Sequence, residues 1–126
     1  DELPLVKLDF GLIEQALYNI LLNSCQYSPV GSEIRFEASY RDGNLLLQIS
    51  DSGPGFPEQA LPKVFNKFFR VEDSKTGGLG LGLSIVKGIV EAHKGISTVE
   101  NIDYRGAKFS MIIPSEVPDI NELELE

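Results

Sequence analysis

Between Thr76 and Gly95 the chain reads TGGLGLGLSIVKGIVEAHKG, and no other stretch constrains its fold as much. Gly77, Gly78, Gly80 and Gly82 run directly into an apolar pattern of helical spacing. Glycine weakens regular structure and is useful where backbone must turn sharply or let a ligand come close. The pattern reads as a helix from about Leu79 to Lys94 that buries Leu79, Leu83, Val86 and Val90, with Gly95 as its C-cap. Glycine backbone thus stands at a helix N-terminus, where free N–H groups and the helix dipole favour an anion. A dinucleotide fingerprint needs glycines at offsets zero, two and five. Counting from Gly78 and Gly80, the third position is Leu83, so that motif is excluded. A P-loop needs Gly-Lys-Ser/Thr, and Lys87 is followed by Gly88. What remains is an anion site of another kind, or a flexible linker ahead of a core helix.

The other segments supply the partners of that helix. LPLVKLD (residues 3–9) reads as a short strand, with Asp9 placed to cap a helix from Phe10 to about Tyr27. Phe10, Ile13, Leu17, Ile20 and Leu21 form its apolar stripe. EIRFEASY and NLLLQIS are strands joined by a hairpin turn at Asp42-Gly43. DSGPGFP is a loop, and EQALPKVFNKFF is a short helix interrupted by Pro62. RVEDSKTGG, residues 70–78, reads as a mobile loop. ISTVENI and AKFSMII close the domain as strands around a turn at Asp103 to Gly106. At 126 residues and 42% hydrophobic composition there is material for one core, with no internal repeat and no second domain. The expected architecture is an α/β two-layer sandwich, a mixed sheet covered on one face by helices, over residues 1–114. Residues 115–126 form an acidic tail with five carboxylates, expected to be disordered.

Charge and cysteine usage narrow the function classes. A net charge of −8 argues against a general nucleic-acid surface or an anionic membrane surface. Five of the 11 basic residues (Lys63, Lys67, Arg70, Lys75 and Lys87) nevertheless cluster in one quarter of the chain, a region that can meet a small anion. The single Cys25 excludes an internal disulfide and fits a reducing compartment. No apolar run approaches the roughly 20 residues that span a bilayer, and no signal-peptide pattern opens the chain. The abrupt start suggests a domain cut from a longer protein.

Three further motifs accompany the glycines. Asp51 follows an apolar strand directly, and Gly53 and Gly55 let the chain turn away. This is an ordinary strand-ending turn or, alternatively, a rigid carboxylate that accepts from the exocyclic amine of adenine and repels the carbonyl of guanine. Asn19 and Asn23 lie four apart on one helical face, away from the apolar stripe. They are either a solvated face or a source of carboxamide oxygen for Mg²⁺, a hard cation that shares substrate phosphates. In VFNKFFR, Phe65, Phe68 and Phe69 are either core or the anchor of a lid.

Taken in order, an Asn-bearing helix, D-x-G-x-G, a Phe-rich segment ending in Arg, and G-x-G-x-G opening a helix form a specific series. It resembles the catalytic ATP-binding domain of sensor histidine kinases, with its N, G1, F and G2 boxes, over about Leu3 to Pro114. The closing GAKFSMIIP is similar to the last strand of that family. The acidic tail and opening strand are similar to those of potassium-responsive, Kdp-type sensor kinases.

The resemblance implies ATP and Mg²⁺ as cofactors. Asn23 would hold Mg²⁺, Asn19 would support it, and Tyr27 would lie against the adenine ring. Asp51 would take the adenine amine, with Gly53 and Gly55 shaping that end. Phe68, Phe69 and Arg70 would form the lid base. Gly78, Gly80, Leu81 and Gly82 would bring backbone to the phosphates, with Lys75 nearby. Gln26 stands where the family commonly has a phosphate-contacting Lys, a task that Lys67, Arg70 or Lys75 would then take. Leu79 stands between the first glycines, and the lid, Val71 to Gly77, is short.

Related ATPases of the same superfold place a water-activating Glu where Asn19 stands, and a carboxamide is a poor general base. Transfer is therefore expected over hydrolysis: from Mg·ATP to a histidine on the dimerisation domain of the parent kinase, and onward to a response regulator receiver domain. No nucleic acid and no direct membrane contact are expected. The domain would be cytoplasmic, its parent anchored in a bacterial inner or plasma membrane. His93 lacks the acceptor motif and is expected to be structural. The alternative is a nucleotide-binding regulatory module, a degenerate kinase or anti-sigma-like partner, which Gln26 keeps open.

Overall fold

A computed structural model describes residues 8–69, 82–102 and 105–115. The first helix, α1 (Phe10–Tyr27), starts where expected because the Asp9 side chain accepts from the Leu12 N–H at 3.2 Å, a cap worth about 1 kcal/mol. Strands β1 (Arg35–Arg41) and β2 (Asn44–Ser50) follow, then a 3₁₀ turn (Glu58–Lys63) that contains Pro62. Helix α2 (Gly82–Ala92), β3 (Ile96–Asn101) and β4 (Ala107–Pro114) complete the described elements. Asp42 and Gly43 both have positive φ, 53° and 81°, the twist that a two-residue hairpin between β1 and β2 requires.

The four strands run in the order β1-β2-β4-β3. The sheet, expected to be mixed, is antiparallel at every described pairing. The opening strand expected at residues 3–9 falls largely outside the described residues, and its two described residues, Leu8 and Asp9, are not in a strand. Register places apolar residues in rows across one face: Tyr40, Leu45 and Ile113; Ala38, Leu47 and Met111; Phe36, Ile49, Phe109 and Val99. Both helices pack on that face, and Ile13, Ala16, Ile20, Leu83, Val86, Ile89 and Val90 join the buried core. The opposite face presents polar groups, including a Gln48 Nε2–Ser110 Oγ hydrogen bond. Two layers with one buried sheet face are thus what the sequence led one to expect. The fold stays tied through Ser115, whose N–H donates to Gly43 at 2.9 Å and whose carbonyl accepts from the Tyr40 hydroxyl at 2.9 Å. The remaining tail residues lie outside the described residues.

Two local expectations need correction. The buried stripe of α1 is Ile13, Ala16, Ile20 and Ser24 with Leu17 half-buried, whereas Phe10 is 77% exposed and Leu21 39% exposed. The helix meets α2 and the sheet along one line through Ala16 and Ile20. Residue 21, a further 100° around, already turns toward solvent. The end of α2 also differs. Lys94, not Gly95, takes the left-handed conformation (φ 61°), and N–H groups of Lys94 and Gly95 return to the carbonyls of Glu91 and Val90, a Schellman closure. Gly95 is required for another reason: a Cβ there would overlap the Ile112 carbonyl and stand 3.0 Å from Val90 Cγ1. Gly95→Ala is expected to lower stability by about 1–3 kcal/mol, the usual range for overpacking. Urea unfolding measures it, and an unchanged midpoint would contradict the packing described.

Candidate functional site

The site is assembled from loops and helix ends at one edge of the helical layer. Asp51 is the residue after β2. Its N–H donates to the Ala107 carbonyl at 3.0 Å, which extends the β2–β4 ladder by one step. Its carboxylate is 8% exposed, and Oδ1 accepts from the Gly53 N–H at 3.0 Å and the Ala107 N–H at 3.1 Å. Two backbone donors on one oxygen fix the plane of the carboxylate. Among the described residues no donor is recorded for Oδ2.

The Gly53 backbone lies against the end of α1: a Cβ there would come 2.8 Å from the Tyr27 carbonyl oxygen. The loop therefore reaches Tyr27 only because residue 53 has no side chain. Gly55 is in the left-handed region (φ 77°), and a Cβ there would stand 2.7 Å from Asn101 Oδ1. In the middle of α1, Asn19 Nδ2 donates to the Gly82 carbonyl at 3.4 Å, joining the Asn-bearing face to the first described turn of α2. Asn23 is half-buried on the same face, and Gln26 is exposed. A Cβ at Gly82 would meet no described atom within 4 Å.

The Phe-rich segment divides. Phe69 stacks obliquely on Phe56 at 6.2 Å, and Phe56 and Phe65 each meet Phe109 edge-on at 6.1 and 6.2 Å. Phe65 and Phe69 are thus anchors that tie the segment to the Asp51 loop and to β4. Phe68 is 62% exposed, has φ 67°, and lies 5.8 Å from Lys67 Nζ. Of the expected site residues, the structure brings Asn19, Tyr27, Asp51, Gly53, Gly55, Phe69 and Gly82 into one connected set, with Asn23 on the same helix face. Arg70, Lys75, Gly78, Gly80 and Leu81 lie outside the described residues, as does the loop expected to be mobile.

Donor chemistry at the site suits a phosphate-bearing ligand with a hard cation. Among the described residues no group of three or more His, Cys, Asp or Glu could hold a metal ion by itself. The Asn23 carboxamide can offer one neutral oxygen, so a hard cation here would need further oxygens from its ligand. Ser24 Oγ and Ser28 Oγ, at the C-terminal end of α1, are buried with no hydrogen-bond partner among the described residues.

His93 is occupied. The Asp9 N–H donates to Nε2 at 3.3 Å, so the other nitrogen, Nδ1, carries the proton and donates to the Ile89 carbonyl at 2.9 Å. The imidazole thus joins the end of α2 to the cap of α1, and neither nitrogen is a free nucleophile.

Sequence reasoning missed two residues. Asn101 holds the Phe56 backbone by two hydrogen bonds, and Gly106 allows the β3–β4 turn to close on Asp51, whose carbonyl a Cβ would overlap. Gly106 has φ 120°, a conformation that glycine tolerates, and its place in a turn was the available signal. Nothing local marks Asn101.

Comparison with known proteins follows the same outline. The family model for histidine kinase-, DNA gyrase B- and HSP90-like ATPases matches residues 9–117. The chain is 38% identical over 121 residues to the sensor protein KdpD of Clostridium acetobutylicum, covering 93% of this chain and 13% of that protein. It is also 38% identical over 114 residues to the sensor histidine kinase WalK of Bacillus subtilis, covering 86% and 19%. Equal identity to the two does not single out the Kdp type. The chain therefore spans less than a fifth of either relative. Among solved structures, the mycobacterial sensor histidine kinase MprB superposes with a TM-score of 0.78 at 33% identity, over 87% of this chain and 74% of that one.

Proposed function

The chain belongs to the family of histidine kinase-, DNA gyrase B- and HSP90-like ATPases, and from that premise we propose that it binds Mg·ATP between α1, the Asp51 loop and the head of α2, and passes the γ-phosphate to a histidine on another domain. The observation that carries this reading is the connected set around Asp51. A buried carboxylate has one oxygen pinned by two backbone N–H groups, next to the end of the helix that bears Asn19 and Asn23. Oδ2 accepts the adenine amine, and Gly53 and Gly55, where the loop packs closely against Tyr27, Asn101 and Gly106, shape that end of the pocket. The Asn23 carboxamide holds Mg²⁺, which when bound neutralises charge on the phosphate oxygens. The glycines 78, 80 and 82, with Leu81, offer backbone to the phosphates, and Arg70 and Lys75 offer charge.

Hydrolysis is disfavoured because Asn19 is a neutral amide donating to the Gly82 carbonyl, which leaves no general base at that place. Transfer needs positioning more than covalent chemistry from the protein. The acceptor imidazole forms the new N–P bond as the bond to the leaving ADP oxygen breaks. No described helix is long and apolar enough to cross a membrane. The parent's histidine-bearing dimerisation domain, a response regulator receiver domain and a cytoplasmic position beneath an anchored parent belong to the same proposal. Residues 1–114 are its catalytic domain, and 115–126 its acidic extension.

Incubation with γ-labelled ATP tests it. The chain alone is expected to bind Mg·ATP, remain unlabelled and release little phosphate. Mixed with its parent's histidine-bearing domain, it is expected to label that domain slowly, because tethering no longer raises the effective concentration. The label should be acid-labile and base-stable. Vigorous phosphate release by the chain alone would move it to the ATPase side of the family. Binding without transfer at high acceptor concentration would favour a regulatory module, the reading to which the exposed Gln26 belongs.

A further inference from the structure

We propose that Asn101 is a positioning residue for base recognition: by pairing both atoms of its amide with the backbone of Phe56, it clasps the loop that carries Asp51 and so sets the preference for adenine. The proposal rests on the reading of Asp51 as the adenine contact, and its geometry stands independently. Asn101 is the last residue of β3, paired with Ala107 across β4. Its Oδ1 accepts from the Phe56 N–H at 2.8 Å and its Nδ2 donates to the Phe56 carbonyl at 2.7 Å. One planar amide thus does what a neighbouring strand would do, for a loop that has left the sheet.

The clasp acts on the whole turn. Asp51 is held at the start by the backbone of Ala107, and Phe56 at the end by Asn101. The two anchors are residues of one hairpin, directly opposite each other in the β3–β4 ladder. Between them Gly55 passes so close to Asn101 Oδ1 and the Gly106 carbonyl that no side chain fits. The Gly106 carbonyl itself accepts from the Ile102 N–H at 3.0 Å, which fixes the hairpin that does the holding. Freeing the Phe56 backbone leaves the five residues after Asp51 held by the Gly53 N–H, by the Ser52 hydroxyl on the Glu33 carbonyl at 3.1 Å and by the packing of the Phe56 ring. The far end of the loop then has no backbone anchor among the described residues, and the direction of Oδ2 depends on that segment.

Only asparagine satisfies both Phe56 groups from this position. Aspartate would set a carboxylate oxygen against the Phe56 carbonyl, serine offers one hydroxyl, and glutamine is one methylene too long. Loss of two hydrogen bonds to a loop that orders a buried carboxylate is expected to act on discrimination as well as on affinity.

Asn101→Ala and Asn101→Asp are compared with the parent chain in three measurements: calorimetric titration with ATP and GTP, thermal unfolding, and amide hydrogen exchange at Phe56. Asn101→Ala should exchange the Phe56 amide at least about tenfold faster, a loss of protection matching one lost hydrogen bond, whereas Asn101→Asp keeps that bond and should exchange more slowly than Asn101→Ala. Asn101→Ala should bind ATP about tenfold more weakly and reduce the ATP-over-GTP preference by a similar factor. Asn101→Asp, which keeps an acceptor for the Phe56 N–H, should fall between. A variant that loses thermal stability while keeping the parent's ATP-over-GTP ratio would make Asn101 merely structural and overturn the proposal. Unchanged exchange at Phe56 in Asn101→Ala would overturn it as well. A parent chain with no preference for ATP would instead remove the reading of Asp51, and with it the role of Asn101 in base choice, while the exchange result would still decide whether Asn101 holds the loop.

Discussion

Asn23→Ala is expected to cut phosphate transfer to a histidine-bearing domain by about a hundredfold or more while leaving the chain folded. Asn23 is half-buried in the body of α1 and outside the buried core, so truncation removes little packing. Alanine is also the better helix former, by up to about 0.7 kcal/mol, and α1 should not suffer. What is lost is the neutral oxygen proposed to hold Mg²⁺. A metal that stabilises phosphate charge is worth several kcal/mol in the transition state, and each 1.36 kcal/mol is about tenfold in rate. The apparent Mg²⁺ requirement should therefore rise, and high Mg²⁺ should restore part of the activity. Asn19→Ala, which removes only a long hydrogen bond of 3.4 Å to Gly82, should cost far less. Transfer measured across a Mg²⁺ series decides the point. A rate within threefold of the parent, with the same Mg²⁺ dependence, would remove Asn23 from the site.

Asp51→Asn is expected to lower ATP affinity about tenfold to a hundredfold, the value of a charge-assisted hydrogen bond of roughly 1.5–3 kcal/mol. Asparagine keeps an oxygen for the Gly53 and Ala107 N–H groups, which hold Oδ1 at 3.0 and 3.1 Å, so the loop should keep its shape. At the second position it presents an NH₂ where Oδ2 was. Two donors then face each other at the adenine amine, whereas the carbonyl of guanine would be accepted, so GTP should gain relative to ATP. Asp51→Ala also weakens ATP binding, but it strips both backbone bonds and mixes a folding effect with a binding one. Calorimetry with both nucleotides, alongside thermal unfolding, separates these contributions. If Asp51→Asn binds ATP as the parent does, with the same ATP-over-GTP ratio, another group reads the base.

The legible part of the fold is local in origin. Asp9 as a cap, the apolar recurrence through Ile13, Leu17 and Ile20, the Asp42-Gly43 turn and the alternation in EIRFEASY each depend on neighbours within four residues. The structure returns these elements at or within a few residues of their expected bounds. The breadth of the α1 stripe was not legible. Periodicity gives the direction of a helical face, while the packing of α1 against α2 and the sheet decides how far around the helix burial extends. The site shows the same division. Asp51, Gly53 and Gly55 stood out through the order of the motifs, since DSGPGF taken alone also reads as an ordinary strand-ending turn. Asn101 looked like any polar residue before a turn, because its partner Phe56 is 45 positions away.

By itself the sequence determined the order of helices and strands, the glycine-bearing turns, and the set of chemical groups available for a nucleotide, because these follow from residue type and short-range spacing. Tertiary structure alone decided which glycines answer to close approach rather than to dihedral freedom. Gly95 is needed against the Ile112 carbonyl, while Lys94 takes the left-handed turn. It alone also decided that the β3–β4 hairpin holds the Asp51 loop, through Asn101 at one end and Ala107 at the other. The physical reason is that such contacts join segments distant in the chain. Their geometry exists only once the sheet register has brought Asn101 and Ala107 opposite each other.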